Sequence, residues 1–384
     1  MTRRYGVAPA EVLLSSLLFA ACGGDSTAPA PATGTLEFND VTTGNDIDPD
    51  GFVLALDGAS FQVIPANGTL SITTTAGSHT LAISGVSFNC DIAAPPTTAS
   101  VTAGSSALVD VRATCTPFLR NALVFTSDQF GASEVMVMRS DGSRRERLTS
   151  DQGNYDAPAV SPDGQSIAVP AFTSAGSTGI YLFDRFGKGR EKLVGRSNFD
   201  GSPAWSPDGT RIAFRSAFPG PSGDHDRIYI VNRDGTGLHQ LTPETTDYTT
   251  DDGPSWSPDG AQIVFSRFNQ LYMINADGTG LMATSAFGHH PAWSPDGAHI
   301  AFEGFQSSGT AEIYVMDRAF NATSITPGGN DYVPRWSPDG HQLVFERAAF
   351  GGFQLYKINA DGSSLTRLST PAQNDRRASW GPDF

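Results

Sequence analysis

Two sets of side chains in this sequence have types and spacings that could do chemistry. The first recurs a few residues ahead of a repeated aromatic position. It comprises Asp156, Asp200, Asp251, Asp252, Asp331 and Asp375, with His289 and His290 standing at the corresponding place in one copy. Carboxylates gathered around one opening would attract a cation, an amine or a basic peptide. The same acids could instead cap or turn the segment that carries them, for one local reason repeated in every copy. An imidazole among carboxylates is also the minimum for general acid–base work. The second set is Asp46, Asp48 and Asp50 followed by Gly51, with Asp57 at the twelfth position. Oxygen ligands at alternate positions open a calcium loop in this way. The flanks read as strands, and Asp-Pro-Asp-Gly is a good turn in its own right, which favours the turn. No cofactor is required on this reading, and Ca²⁺ is the one candidate ion.

A nucleophile is harder to find. Gly220-Pro221-Ser222-Gly223 lies beside Asp224, His225 and Asp226. Neighbours on one loop rarely offer the fixed geometry of a triad, and no G-x-S-x-G elbow with a downstream His exists. The expectation is a chain that binds rather than catalyses. The competing reading is a propeller hydrolase or lyase acting on envelope or extracellular glycans, with His289 or His290 and channel carboxylates as acid and base.

The elements that must position these groups are set by an internal repeat. Val160-Ser-Pro-Asp-Gly is followed by Trp-Ser-Pro-Asp-Gly at Trp205, Trp256, Trp293 and Trp336, then by Trp380-Gly-Pro-Asp-Phe. The steps are 45, 51, 37, 43 and 44 residues, and all five Trp of the chain fall on this one position. The mean step is that of a four-stranded propeller blade. Ser-Pro-Asp-Gly puts Pro where φ is already set and Gly where a left-handed residue is needed, so it closes a hairpin. Apolar strands follow each motif, and Ile228–Val231 leads into a second turn, Asn232-Arg233-Asp234-Gly235. Ala122–Ser127, Val135–Met138 and Arg145–Thr149 lack a preceding motif, whereas Arg377–Asp383 is a motif without following strands. Joined, they make one more blade. The expectation is all-β: a six-bladed β-propeller over residues 118–384, monomeric, with no open sheet edge at the seam.

This repeat resembles the propeller of TolB and its relatives over about two-thirds of the chain. TolB carries an α/β domain ahead of its propeller, whereas residues 34–117 here read as short strands: Thr35–Phe38, Phe52–Leu56, Leu70–Thr74, Thr80–Ile83 and Ala107–Arg112. A small antiparallel β-sandwich is expected there, and DGFVLALDG and AGSHTLAISGV are similar to PEGA-type and carbohydrate-regulatory modules of bacterial envelope proteins.

The N-terminus reads as an address. Arg3 and Arg4 precede a ten-residue apolar run, Val12–Ala21, too short to span a bilayer. Phe19-Ala20-Ala21-Cys22 resembles the bacterial lipobox, with Phe where Leu is usual. That resemblance implies a signal peptide over 1–21, lipidation of Cys22, and a tether over 22–33 rich in Pro and small residues. By analogy with enteric lipoproteins, Gly23 suits sorting to the outer membrane, facing the periplasm or the cell surface. Cys90 and Cys115 then remain as a pair in a compartment where disulfides persist.

The formal net charge of −15 becomes −16 without the first 21 residues, which carry Arg3, Arg4 and Glu11. Such a chain is not built for nucleic acid. The expected partners are another envelope protein, a basic peptide or a glycan, with the membrane reached through the lipid.

Overall fold

The computed structural model describes residues 30–47, 51–172, 178–195, 200–220, 223–244, 249–370 and 373–383. The leader over 1–21, the Cys22 expected to be lipidated, most of the tether, Asp48, Asp50 and Ser222 lie outside the described residues. Every named element among the described residues is a β-strand, and no helix there is long and apolar enough to cross a membrane.

The N-terminal module is two four-stranded sheets. One has the spatial order Thr69–Thr75, Thr33–Gly44, Ser106–Cys115, Cys90–Ile92; the other has Ala59–Ile64, Phe52–Leu56, Gly77–Ser84, Thr98–Val101. Alternate residues of each strand turn inward, so Leu36, Phe38, Phe52, Leu54 and Val111 share one core. The expected fully antiparallel arrangement fails at the centre of the first sheet. There Thr33–Gly44 and Ser106–Cys115 run parallel, a pairing between chain segments too distant for hairpin signals to report. Cys90 and Cys115 face each other across neighbouring strands and are joined by a disulfide.

Six four-stranded sheets follow. A typical one runs from the centre outward as Asp251–Trp256, Gln262–Arg267, Gln270–Asn275, Met282–Phe287. The first sheet is composite: Ala122–Ser127, Glu134–Arg139 and Glu146–Arg147 take their innermost strand, Asp375–Trp380, from the other end of the chain. The six innermost strands are Asp375–Trp380, Ala159–Val160, Gly201–Trp205, Asp251–Trp256, His289–Trp293 and Asp331–Trp336. Each lies against the next, and the last returns to the first. Apolar clusters fill the space between successive sheets, as with Ala213, Ile230, Trp256 and Phe265.

The motif residues do the structural work their types suggest. In the turn at Ser257, the hydroxyl donates to Asp259 Oδ1 at 2.5 Å, which also accepts the N–H of Ala261 at 3.0 Å. Four of the indole N–H groups reach back to the preceding sheet: Trp205 to Ala159 O, Trp256 to Ala204 O, Trp336 to Ala292 O and Trp380 to Arg335 O, at 3.0–3.2 Å.

The module is held against the ring by Arg139, which donates to Phe88 O and Asp91, by Phe118 N–H donating to Asp46 Oδ2, and by edge-on contacts of the Phe118 ring with those of Phe88 and Phe186. These contacts lie on the side of the ring that carries the Ser-Pro-Asp-Gly turns.

Candidate functional site

The site is built by the innermost strands, whose free edge lines the central channel. Counting back from the repeated aromatic position, the second residue is Pro in five sheets: Pro158, Pro203, Pro254, Pro291 and Pro334. Proline has no N–H to leave unpaired on that edge. The residue before it is left-handed in all six: Ala157 (φ 36°), Ser202 (50°), Gly253 (62°), His290 (48°), Val333 (52°) and Arg377 (56°). The ladder shifts register at this point, a β-bulge. The bulge decides which side chains reach the channel.

Ahead of the bulge, alternation along the strand separates the acids that the sequence groups together. Asp200, Asp251, Asp331 and Asp375 stand five residues before the aromatic position and are 0–2% exposed. They do not ring the opening. Asp251 is gripped by both nitrogens of Arg267 at 2.6 and 2.7 Å, Asp331 by Arg347 at 2.6 and 2.8 Å, and Asp375 by Arg145 at 2.6 and 3.1 Å. Asp200 accepts from the Ser216 hydroxyl. These are buried polar posts within and between strands. The fifth-sheet counterpart is Gly288, not a histidine, and it lies at van der Waals distance from the next strand, where a side chain would collide with the Glu303 carbonyl at 2.1 Å.

Asp156, Asp252, His289 and His290 stand one or two residues later and do approach the channel. Asp252 accepts from Ser202 Oγ at 2.8 Å and the Gly253 N–H at 2.6 Å, with Arg215 at 3.2 Å. Burial pushes its carboxyl up, but the charge of Arg215 together with these hydrogen bonds outweighs that and holds it below its ordinary range. His290 Nδ1 meets Glu303 Oε2 at 3.0 Å, and its Nε2 meets Arg377 Nη1 at 3.1 Å. Arginine only donates, so Nε2 is the acceptor and Nδ1 carries the proton given to Glu303. Arg377 also lies 3.7 Å from Asp156 and 3.9 Å from Glu346. Burial raises the Glu346 carboxyl above its ordinary range, and its Oε2 has no hydrogen-bond partner. His289 packs edge-on against Phe305, and burial lowers its imidazole.

Beyond this network the channel narrows to a space of about 30 Å³ beside His290, Val333, Arg335 and Arg377. It then opens on the Ser-Pro-Asp-Gly side into a funnel of about 290 Å³. The funnel rim is Trp205, Trp256, Trp336 and Trp380 with Pro162, Pro338 and Pro382, and Arg335 lies at its floor. On the opposite face the hairpins between second and third strands end in exposed phenylalanines: Phe130, Phe172, Phe268, Phe305 and Phe350.

Arg335, Arg377, Glu303, Glu346 and Arg215 escaped the reading of the sequence. A signal existed for Arg335 alone. The residue just before the aromatic position reads Ala159, Ala204, Ser255, Ala292, Arg335, Ser379, so one charged residue interrupts a column of small ones. Of the calcium-loop residues, Asp46 is taken up by Phe118 N–H and Arg185, and Asp57 by His79 at 2.6 Å and Thr80 N–H at 2.8 Å. No group of three or more His, Cys, Asp or Glu able to hold a metal occurs among the described residues.

Four-stranded sheets closed around a lined channel define a β-propeller. The family described as the TolB beta propeller domain matches residues 158–290 and 279–384, and the chain belongs to that family. It is 31% identical over 162 residues to the protein TolB homolog of Chlorobium luteolum, a match covering 41% of this chain and 35% of that one. The chain thus matches about a third of that relative's length. In fold it is similar to TolB from Acinetobacter baumannii, with TM-score 0.60 and 21% identity, covering 68% of this chain and 67% of that one. It is likewise similar to a putative TolB from Agrobacterium tumefaciens, with TM-score 0.54 and 19% identity, covering 69% and 95%.

Proposed function

We propose that this chain is a lipid-anchored protein of the bacterial envelope whose propeller is a scaffold for binding another protein. The observation that carries this reading is how the channel distributes its chemistry. The best-placed base, His290, is spent on its neighbours, since both its nitrogens are occupied by Glu303 and Arg377. The funnel of Trp and Pro on the turn side stays open. Membership of the TolB propeller family supports a binding role, and the exposed phenylalanines of the other face are of the kind found on protein-binding surfaces. The Cys90–Cys115 bridge suits an oxidising compartment, as the lipobox-like N-terminus requires. On this reading the module anchors the chain beside the funnel. The glycan-cleaving alternative would use His290, oriented by Glu303, as its base; the bond from Arg377 to Nε2 speaks against that, because the lone pair is already engaged.

The test is cross-linked capture from intact cells, comparing the wild type with the rim variant Pro162→Glu/Pro338→Glu. A defined partner recovered with the wild type and lost with the variant supports binding at the funnel. The same partner with both moves the site to another face. Recovery of no specific partner by either overturns the scaffold reading.

A further inference from the structure

We propose that the funnel floor is a receptor for a carboxylate flanked by apolar groups, a chain end or an acidic side chain of a protein segment, read by Arg335. The proposal rests on the scaffold reading and names the ligand chemistry of that site.

Arg335 is the odd member of its layer. The equivalent residues of the other sheets are Ala or Ser, and their small side chains leave the space into which its guanidinium projects. Its Nη1 donates to Pro334 O at 2.8 Å, and among the described residues no carboxylate lies within ion-pair distance of it. Five N–H donors in a planar fork are available, and one is used. Desolvation, reinforced by the like charge of Arg377 and only partly offset by Glu346 and Asp252, pulls the Arg335 guanidinium down to about 10. Arg335 is half-buried and has no carboxylate partner, so an incoming anion gains a charge-assisted bond that nothing in the chain supplies. Arginine meets a carboxylate with two parallel bonds, and the enclosed funnel shields that pair from water.

The walls say what surrounds the carboxylate. Four indole N–H groups are already committed to neighbouring carbonyls, and the hydroxyls of Ser255 and Ser379 already accept from Trp293 N–H and Val160 N–H. The prolines of the wall have no N–H, so Arg335 is the principal side-chain donor of the funnel. An apolar group beside the carboxylate packs on the prolines and the indole margins, whereas the many hydroxyls of a sugar acid meet only strand-edge carbonyls there.

The experiment titrates the purified full chain with N-acetylleucine, N-acetylleucinamide and glucuronate, following tryptophan fluorescence and confirming by equilibrium dialysis. The expected result is saturable binding of N-acetylleucine, with the amide and the glucuronate weaker by about tenfold or more. Arg335→Gln should abolish the preference for the acid over the amide, with Arg335→Lys intermediate. Ser379→Glu, which places a carboxylate beside Arg335 within the chain, should block the site and raise the melting temperature even if Arg335→Gln folds poorly. Equal binding of acid and amide, stronger binding of glucuronate, no binding, or full binding by Arg335→Gln each overturns the proposal. A partner captured from cells equally by Arg335→Gln and wild type, yet lost in the rim variant, would sink this inference and leave the scaffold reading standing.

Discussion

A single carboxylate oxygen organises each Ser-Pro-Asp-Gly turn, because it accepts both the serine hydroxyl and the N–H two residues on. The serine hydroxyl, with that N–H, holds Asp208, Asp259, Asp296 and Asp339 below the ordinary carboxylate range. The consequence has a sign. A carboxyl whose folded value lies under its unfolded one adds stability above the unfolded value, about 3.9, and loses it as pH falls through the folded value. Melting temperatures should therefore be nearly flat from neutral pH to about 5 and fall steeply below about 4. Asp259→Asn should cost about 1 kcal/mol at pH 7 and soften the acid slope, as scanning calorimetry across pH would report. These residues were legible in the sequence because a turn needs the same letters each time. Arg335 showed only as a break in a column of small residues, and Glu346 stands in a mixed column with Thr126, Pro170, Arg215, Ser266 and Glu303, where a repeat has nothing to advertise.

At the scale of the strand, the left-handed bulge governs what faces the channel. An alternating pattern read from sequence assigns faces by counting in twos, and an inserted residue breaks the count. Asp251 and Asp252, both ahead of the bulge, have opposite fates by plain alternation: one is enclosed with Arg267 and the other turns toward the channel, and only beyond them does the count slip. The six acids that the sequence offers as one set belong to two layers. Only one of the six bulge residues is glycine, so the others hold a conformation that L-residues adopt reluctantly. Ala157, at φ 36°, has the least to lose from replacement. Ala157→Gly should stabilise the protein by about 0.5–1 kcal/mol in urea unfolding. A loss of stability would mean that the Ala157 methyl contributes packing that outweighs its backbone strain. The parallel pairing inside the module was illegible for a related reason. Local turn signals report hairpins, and Thr33–Gly44 meets Ser106–Cys115 across more than half the module.

At the scale of the molecule, the ring is closed by a strand from one end of the propeller laid on three from the other. The spacing of the aromatic motif, with its orphaned first and last copies, made this closure readable in advance. The seam is fastened by Arg145, which holds the fully buried Asp375 of the innermost strand with two bonds. Removing the arginine leaves a carboxylate enclosed without its partner. Arg145→Ala should cost about 3–5 kcal/mol, more than Arg147→Ala, whose acceptor Glu134 keeps the Thr149 hydroxyl and the Gln152 N–H. Urea unfolding of the two variants decides the comparison. The same seam sets a timetable. A chain made from its N-terminus delivers Ala122–Ser127 early, but that strand must wait with a bare edge for Asp375–Trp380 to arrive, while five other sheets complete themselves in the interval. The oldest part of the propeller is thus the last to be finished, and until then it is the part most in need of something to cover it.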